Sequence, residues 1–198
     1  MTEQLYQNFE PDDPLGIIAE QNKGRFLDMA NLHWFSSRSI SPLNLFQTSV
    51  GWSDYVRLDD VVFLPRGGFE FSRYKSDYPA EPALTFVCWD TLGDAHDICA
   101  WQPATSKIAT WFGHAALLGE DNLDAPQVDV GLQVHPSALD WFRAKRYGVV
   151  ILNRQRAAPM LRHAGTLLAS SPEHGRKLQE LLRVPPPRIL VPKPTVVA

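Results

Sequence analysis

Cysteine is scarce in this chain, and long apolar runs are missing. Cys88 and Cys99 are the two cysteines among 198 residues, too few for a disulfide framework. The longest apolar runs, such as GVVIL, span a few residues, whereas a membrane-spanning helix needs about 20. The first residues show no basic segment followed by an apolar one, as a secretory signal has. We therefore expect a cytoplasmic protein with reduced thiols and no contact with a membrane.

The short motifs that mark common catalytic and nucleotide-binding sites are also missing. The chain contains no GxxxxGK[ST] phosphate loop, no GxGxxG, no HExxH and no GxSxG. Gly67 and Gly68 lie between two segments of alternating hydrophobicity, which is typical of a hairpin turn rather than of a phosphate loop. We predict no catalytic residue and no cofactor, and we expect a binding protein before an enzyme.

Charge is unevenly divided along the chain. Residues 1–140 contain 8 Lys/Arg and 20 Asp/Glu, whereas residues 141–198 contain 11 Lys/Arg and 2 Asp/Glu, so net charges of −12 and +9 give the chain its −3. A basic segment of this kind indicates an acidic partner, nucleic acid above all. The alternative is that the basic part packs on the acidic part of the same chain or is simply solvated.

Hydrophobic periodicity predicts an α+β protein, with a central antiparallel β-meander followed by a small C-terminal α/β (βαβα) unit. Apolar and polar residues alternate along 54–110, as in strands with one buried face. After Pro136 the apolar segments near 149–152 and 166–170 alternate with helical patterns and predict a parallel pair with a right-handed crossover. The expected divisions of one compact domain are an N-terminal helical and irregular segment (1–53), the sheet region (54–135), the α/β unit (136–184) and a proline-rich extended arm (185–198).

Local residue patterns predict where individual helices begin. Asp13-Pro14 predicts a helix start with Asp13 as N-cap, and apolar residues recur at helical spacing from Leu15 to Leu32, interrupted at Gly24. HAALLG, residues 114–119, predicts the start of a short helix. Ser171, followed by Pro172 and Glu173, predicts the start of the last helix.

The stretch FVCWDTLGDAHDICAW, residues 86–101, concentrates side chains that can bind metals. Cys88, His96 and Cys99 are candidate ligands, but a structural zinc site usually needs a fourth ligand, commonly in a second close pair. Asp and Gly are also the residues that a tight turn prefers, and buried cysteines on strands behave as small apolar groups. We therefore predict an ordinary hairpin, with a metal site or a reactive thiol as the alternatives.

The carboxyl ends of the C-terminal strands offer a candidate anion site. Ligands of parallel sheets gather at this edge, where helix N-termini point, and Arg154, Ser171 and His174 follow the two predicted strands. A Toprim-like domain resembles this layout, but its magnesium site needs a Glu after the first strand, where this chain has Asn153, and a later Asp-x-Asp that this chain lacks. The candidate residues for binding an anion or nucleic acid are Arg143, Lys145, Arg146, Arg154, Arg156, Ser171, His174, Arg176 and Lys177.

Three segments resemble a known group of sequences: HDICAWQPATSKIATWFGHAALLG, VHPSALDWFRAKRYGVVILN and LLASSPEHGRKLQELL. They look like uncharacterised proteins of alphaproteobacterial genomes and prophages. The resemblance covers roughly residues 60–195. It implies a mobile-element context and carries no activity to any residue.

Three classes of function follow from these patterns. The first is a non-catalytic accessory protein that binds nucleic acid or an acidic protein through its basic C-terminal part. The second is a phage structural, assembly or host-inhibitor protein that acts by protein–protein contact, for which the proline-rich arm is suited as an added strand. The third is an enzyme acting on a phosphate-bearing substrate at the C-terminal strand ends.

Overall fold

The computed structural model describes residues 13–49, 52–65, 67–75, 77–124 and 131–183, and the predicted proline-rich arm lies outside them. The helices are α1 (Pro14–Gln21), α2 (Met29–Ser36), α3 (Ala138–Arg143), α4 (Arg154–His163) and α5 (Pro172–Leu182). The strands are β1 (Arg25–Phe26), β2 (Phe46–Ser49), β3 (Trp52–Tyr55), β4 (Arg57–Phe63), β5 (Phe69–Phe71), β6 (Glu81–Trp89), β7 (Ala95–Gln102), β8 (Lys107–Thr110), β9 (Leu117–Leu118), β10 (Leu132–His135), β11 (Val149–Ile151) and β12 (Leu167–Ala169). Within these ranges, each helix is too short or too polar to cross a membrane.

The first sheet is antiparallel and follows the predicted meander. Strands β4, β6, β7 and β8 pair in that order, and β1 and β5 pair with β4. Strands β4 and β5 pair antiparallel as the predicted hairpin, and at its end the Leu64 N–H donates to the Gly68 carbonyl over 2.8 Å. A bridge between Gly68 and Thr110 connects the two ends of the sheet, which therefore curves back on itself.

The second sheet is mixed and has β10 near its centre, in the strand order β12-β10-β11-β9. Both β11 and β12 run parallel to β10, and β9 runs antiparallel to β11. The sequence predicted that the two C-terminal strands, β11 and β12, pair with each other. They are not direct neighbours, because β10 lies between them. With an antiparallel sheet followed by this α/β unit, the predicted α+β class is confirmed.

Two local helix predictions were wrong. The first helix ends at Gln21, and a new helix, α2, begins after Asp28, whose carboxylate accepts from the Asn31 N–H over 2.8 Å. HAALLG contains no helix, and its residues Leu117–Leu118 form β9. The buried carboxylate of Glu120 accepts from the N–H groups of Ala116 (2.6 Å) and Leu117 (3.0 Å) and stabilises this non-helical conformation.

Three apolar clusters hold the helices against the two sheets. One face of the first sheet packs under α1, with Ile17 fully buried. The other face packs on α2 and α3, where Phe35 and Phe142 meet at 5.9 Å between ring centroids. The third cluster lies between the second sheet and helices α4 and α5, with Val134 and Leu161 in its interior. This packing sets the N-termini of α4 and α5 at the carboxyl ends of the parallel strands.

Candidate anion-binding cleft

A cleft of about 470 Å³ opens at the carboxyl ends of the parallel strands. It lies at the edge where the sequence predicted an anion site. Its size is within the range of small-molecule sites. It is lined by His135, Pro136, Val150, Ile151, Arg154, Ser170, Ser171, Glu173, His174, Lys177, Leu178 and Leu181.

The helix N-termini beside the cleft are already capped by their own side chains. Asn153 accepts from the N–H groups of Gln155 (3.1 Å) and Arg156 (3.2 Å) at the start of α4. Ser171 accepts from the N–H of His174 over 3.1 Å at the start of α5, as predicted for an N-cap. These caps satisfy backbone donors that would otherwise meet a ligand. Recognition in this cleft therefore depends mainly on side chains.

His174 presents a defined tautomer to the cleft. Its Nδ1 accepts from the backbone N–H of Ser170 at 3.3 Å and lies 3.0 Å from the Ser170 hydroxyl. The neutral ring therefore carries its proton on Nε2. Partial burial lowers the pKa of His174 below its usual value, and the positive charge of Lys177 and the neighbouring His135 lower it further. His174 is consequently a neutral hydrogen-bonding group at pH 7.

His135 also lines the cleft, although the sequence analysis did not identify it as a site residue. It ends β10, it is 8% exposed, and its Nε2 donates to the carbonyl of Tyr147 at 2.8 Å. Because a carbonyl only accepts, the proton of the neutral ring lies on Nε2. The sequence analysis left the segment GLQVH within the predicted antiparallel sheet region (54–135), although its pattern is compatible with a strand. Recognising it as a third parallel strand would have placed His135 at the same edge as Arg154 and His174.

The charged groups of the cleft give it a positive balance. Arg154 and Lys177 contribute two cations, and Glu173 contributes one carboxylate, 2.8 Å from the Lys177 ammonium. The Lys177–Glu173 pair is exposed, with side chains 68% and 66% accessible, so solvent weakens it. Lys177 can therefore exchange this partner for an anionic ligand.

The structure brings together four of the nine predicted anion-binding residues: Arg154, Ser171, His174 and Lys177 all line the cleft. Arg156 follows Arg154 on α4 but donates to the Gly113 carbonyl. Arg176 precedes Lys177 on α5 and is exposed, outside the cleft lining.

Three predicted cations at the end of α3 lie apart from the cleft lining. Arg143 is exposed, donates to the Arg38 carbonyl at 3.1 Å and pairs with Asp140 at 3.2 Å. Lys145 is exposed on the following turn. Arg146 is only 3% exposed, so it is not the surface cation that the sequence predicted. Because Arg146 is buried, the predicted anion-binding residues do not all lie on one exposed surface.

The cysteine and histidine stretch forms the predicted hairpin of β6 and β7. Cys88 and Cys99 are free and buried, and no group of three or more His, Cys, Asp or Glu among the described residues is arranged to hold a metal ion. Burial raises the pKa of the Cys88 thiol well above its usual value, and the adjacent Cys99 raises it further. The Nε2 of His96 lies 3.7 Å from the Glu120 carboxylate. The predicted hairpin is therefore present, and both of its thiols lie inside the protein.

Comparison of the chain with protein-family models, with curated proteins and with solved structures finds no match.

Proposed function

We propose that the chain binds a phosphate-bearing ligand in the cleft at the carboxyl ends of β10, β11 and β12. The observation that carries this proposal is the convergence of Arg154, His174 and Lys177, from two helices, on one cleft. An arginine supplies a planar donor fork for a phosphate, and a lysine supplies a mobile point charge. The Nε2–H of His174 adds a neutral donor.

The proposal is tested by titration with inorganic phosphate and with sulfate. The side-chain NMR signals of the histidines monitor binding. We expect His135 and His174 to shift together along one binding curve. Arg154→Ala should weaken binding about tenfold or more, because it removes a charge-assisted contact. Glu173→Gln should tighten binding a few fold, because it frees Lys177 and removes a negative charge from the cleft.

Arg176→Ala and Lys177→Ala form a matched pair for the control. Both variants remove one exposed cation from α5, but only Lys177 lines the cleft. Lys177→Ala should weaken phosphate binding clearly more than Arg176→Ala does. Equal effects would indicate general electrostatic attraction and would contradict a defined site. The absence of any saturable shift up to high phosphate concentration would contradict the proposal as a whole.

Nucleic-acid binding, which the charge division predicts, stays a prediction that shares this chemistry. A single-stranded oligonucleotide titrated at several salt concentrations tests it, since each neutralised phosphate adds about 0.7 to the log–log slope. A steep slope that falls for Arg143→Ala and Arg176→Ala would favour contact over a wide surface rather than in the cleft. Action by protein–protein contact and a mobile-element context also stay predictions.

Enzymatic action on the bound phosphate ester is a second candidate, favoured by one contact. The Ser170 hydroxyl lies 3.0 Å from the Nδ1 of His174, the geometry in which an imidazole can take a proton from a serine nucleophile. Release of nitrophenol from p-nitrophenyl phosphate would test it. Ser170→Ala should abolish turnover and leave phosphate binding within about twofold. Undetectable turnover by the unaltered protein would exclude this activity on that ester and leave the binding proposal standing.

A further inference from the structure

We infer that the ligand of this cleft carries an aliphatic group beside its phosphate, an inference that rests on the proposed function. The charged and polar side chains account for only part of the lining. The rest is apolar and is formed by Pro136, Val150, Ile151, Leu178 and Leu181. Of these, Pro136 is exposed and Ile151 and Leu181 are partly exposed, so a free inorganic anion or a sugar phosphate would leave them against water or against hydroxyl groups.

The polar and apolar parts are ordered along helix α5. His174, Leu178 and Leu181 are spaced four and three residues apart and therefore share one face of the helix. At about 1.5 Å per residue, Leu181 lies roughly 10 Å along the axis from His174. The cleft face of α5 thus changes from Ser171 and His174 at its N-terminus to leucines near its C-terminus. A phosphate held at the polar end would direct its substituent along the leucines.

The chemistry of the lining also limits the kind of substituent. The cleft volume of about 470 Å³ leaves room for a group much larger than the phosphate. Among the described residues of the lining, none is Phe, Tyr or Trp, so a flat base has no aromatic surface on which to stack. Aliphatic walls favour an alkyl chain, whose burial is driven by the area it removes from water. The expected ligand class is an alkyl phosphate monoester.

A ligand series on the unaltered protein tests this inference without depending on the folding of any variant. The ligands are methyl, butyl and hexyl phosphate, with glycerol 3-phosphate as the polar comparison and hexanol as the comparison without a phosphate. Binding is measured by isothermal titration calorimetry. Affinity should rise roughly two- to fourfold per methylene, since each buried CH₂ favours binding. Hexyl phosphate should bind at least about tenfold more tightly than glycerol 3-phosphate.

Two variants localise the preference. Leu181→Gln should reduce the advantage of hexyl over methyl phosphate several fold and leave methyl phosphate within about twofold. Arg154→Ala should weaken both ligands by a similar factor. Equal affinities across the series would overturn the inference and leave the proposed function intact. Failure of every phosphate to bind, or binding of hexanol as tight as that of hexyl phosphate, would overturn the proposed function itself.

Discussion

The carboxylate of Asp97 accepts a hydrogen bond from the backbone N–H of His114 over 2.6 Å and so ties β7 to the segment that leads into the second sheet. The same carboxylate accepts from the N–H groups of Phe112 (2.9 Å) and Ala115 (3.0 Å). Asp97 is fully buried. Asp97 belongs to the stretch that was a candidate metal site, and its side chain instead fixes the segment that connects the first sheet to the second.

Asp97→Asn should strongly destabilise the fold. One oxygen of Asp97 accepts from Ile98 and Phe112, and the other accepts from His114 and Ala115. Either orientation of an asparagine would therefore turn its NH₂ group toward two backbone donors. Two buried N–H groups would lose their acceptor, at a cost of roughly 2–6 kcal/mol in the free energy of unfolding. Urea unfolding followed by tryptophan fluorescence measures this change.

Asp94→Asn is the matched control, since Asp94 is an exposed aspartate of the same hairpin turn. Its unfolding free energy should stay within about 0.5 kcal/mol of the unaltered protein, as for most surface substitutions. Comparable losses for the two variants would show that the buried contacts of Asp97 add no specific stability.

Elements with local signals were predictable from the sequence. Alternation along a strand puts Phe86 and Cys88 on one face of β6 and Val87 and Trp89 on the other, and these pairs belong to different apolar clusters. Asp13 and Ser171 cap α1 and α5 as their positions beside prolines predicted. In each case the deciding interaction is between residues close in the chain.

Elements decided by distant contacts were not predictable. Helical propensity in HAALLG gives way to pairing of Leu117 and Leu118 with β11, which lies more than 30 residues later. The interior position of Arg146 depends on carbonyls about 100 residues earlier in the chain. His135 joins the cleft only because β10 is inserted between β11 and β12. No short pattern records such long-range pairings.

Arg146→Ala should destabilise the fold without changing phosphate affinity. The Arg146 guanidinium donates to the carbonyls of Asn44 (3.1 Å) and Leu45 (3.0 Å) and lies against Trp141 and Phe142, with its carbon 5.6 and 5.3 Å from the ring centroids. Loss of these contacts should cost roughly 2–4 kcal/mol. Thermal unfolding and a phosphate titration below the transition measure the two effects.

Lys145→Ala removes the neighbouring cation and serves as the control for Arg146→Ala. Lys145 is exposed, and its positive φ of 57° is equally unfavourable for lysine and alanine. We expect a change within about 0.5 kcal/mol. A large loss of phosphate affinity in Arg146→Ala would instead return Arg146 to the binding surface.

The two thiols should be unreactive in the folded protein. Cys88 is 2% exposed and Cys99 is fully buried, and burial raises the pKa of Cys88, so little thiolate is present or accessible. With Ellman's reagent at pH 8 we expect no fast reaction in buffer and two thiols per chain in 6 M guanidinium. Rapid labelling of the native protein would revive the alternative of a reactive thiol.

The pH dependence of stability should report on His174. Because its folded pKa lies below the usual value, the unfolded chain binds a proton more readily as pH falls through about 6.5. The folded state is therefore progressively destabilised from pH 7 down to the lowered pKa. Replacement by glutamine removes this contribution, so unfolding of His174→Gln should depend less on pH between 7 and 5. His163→Gln, at an exposed histidine outside the cleft lining, should retain the normal dependence.

Sulfate should oppose this acid destabilisation if the cleft is the anion site. Its charge is constant between pH 5 and 7, and a bound dianion next to His174 favours the protonated ring. Binding must then strengthen as the ring is protonated, because the coupling between proton and anion is reciprocal. The rise in melting temperature at saturating sulfate should be larger at pH 5 than at pH 7 in the unaltered protein and in His163→Gln. His174→Gln should show a much smaller difference between the two pH values. A sulfate effect whose pH dependence survives in His174→Gln would locate the anion away from this histidine.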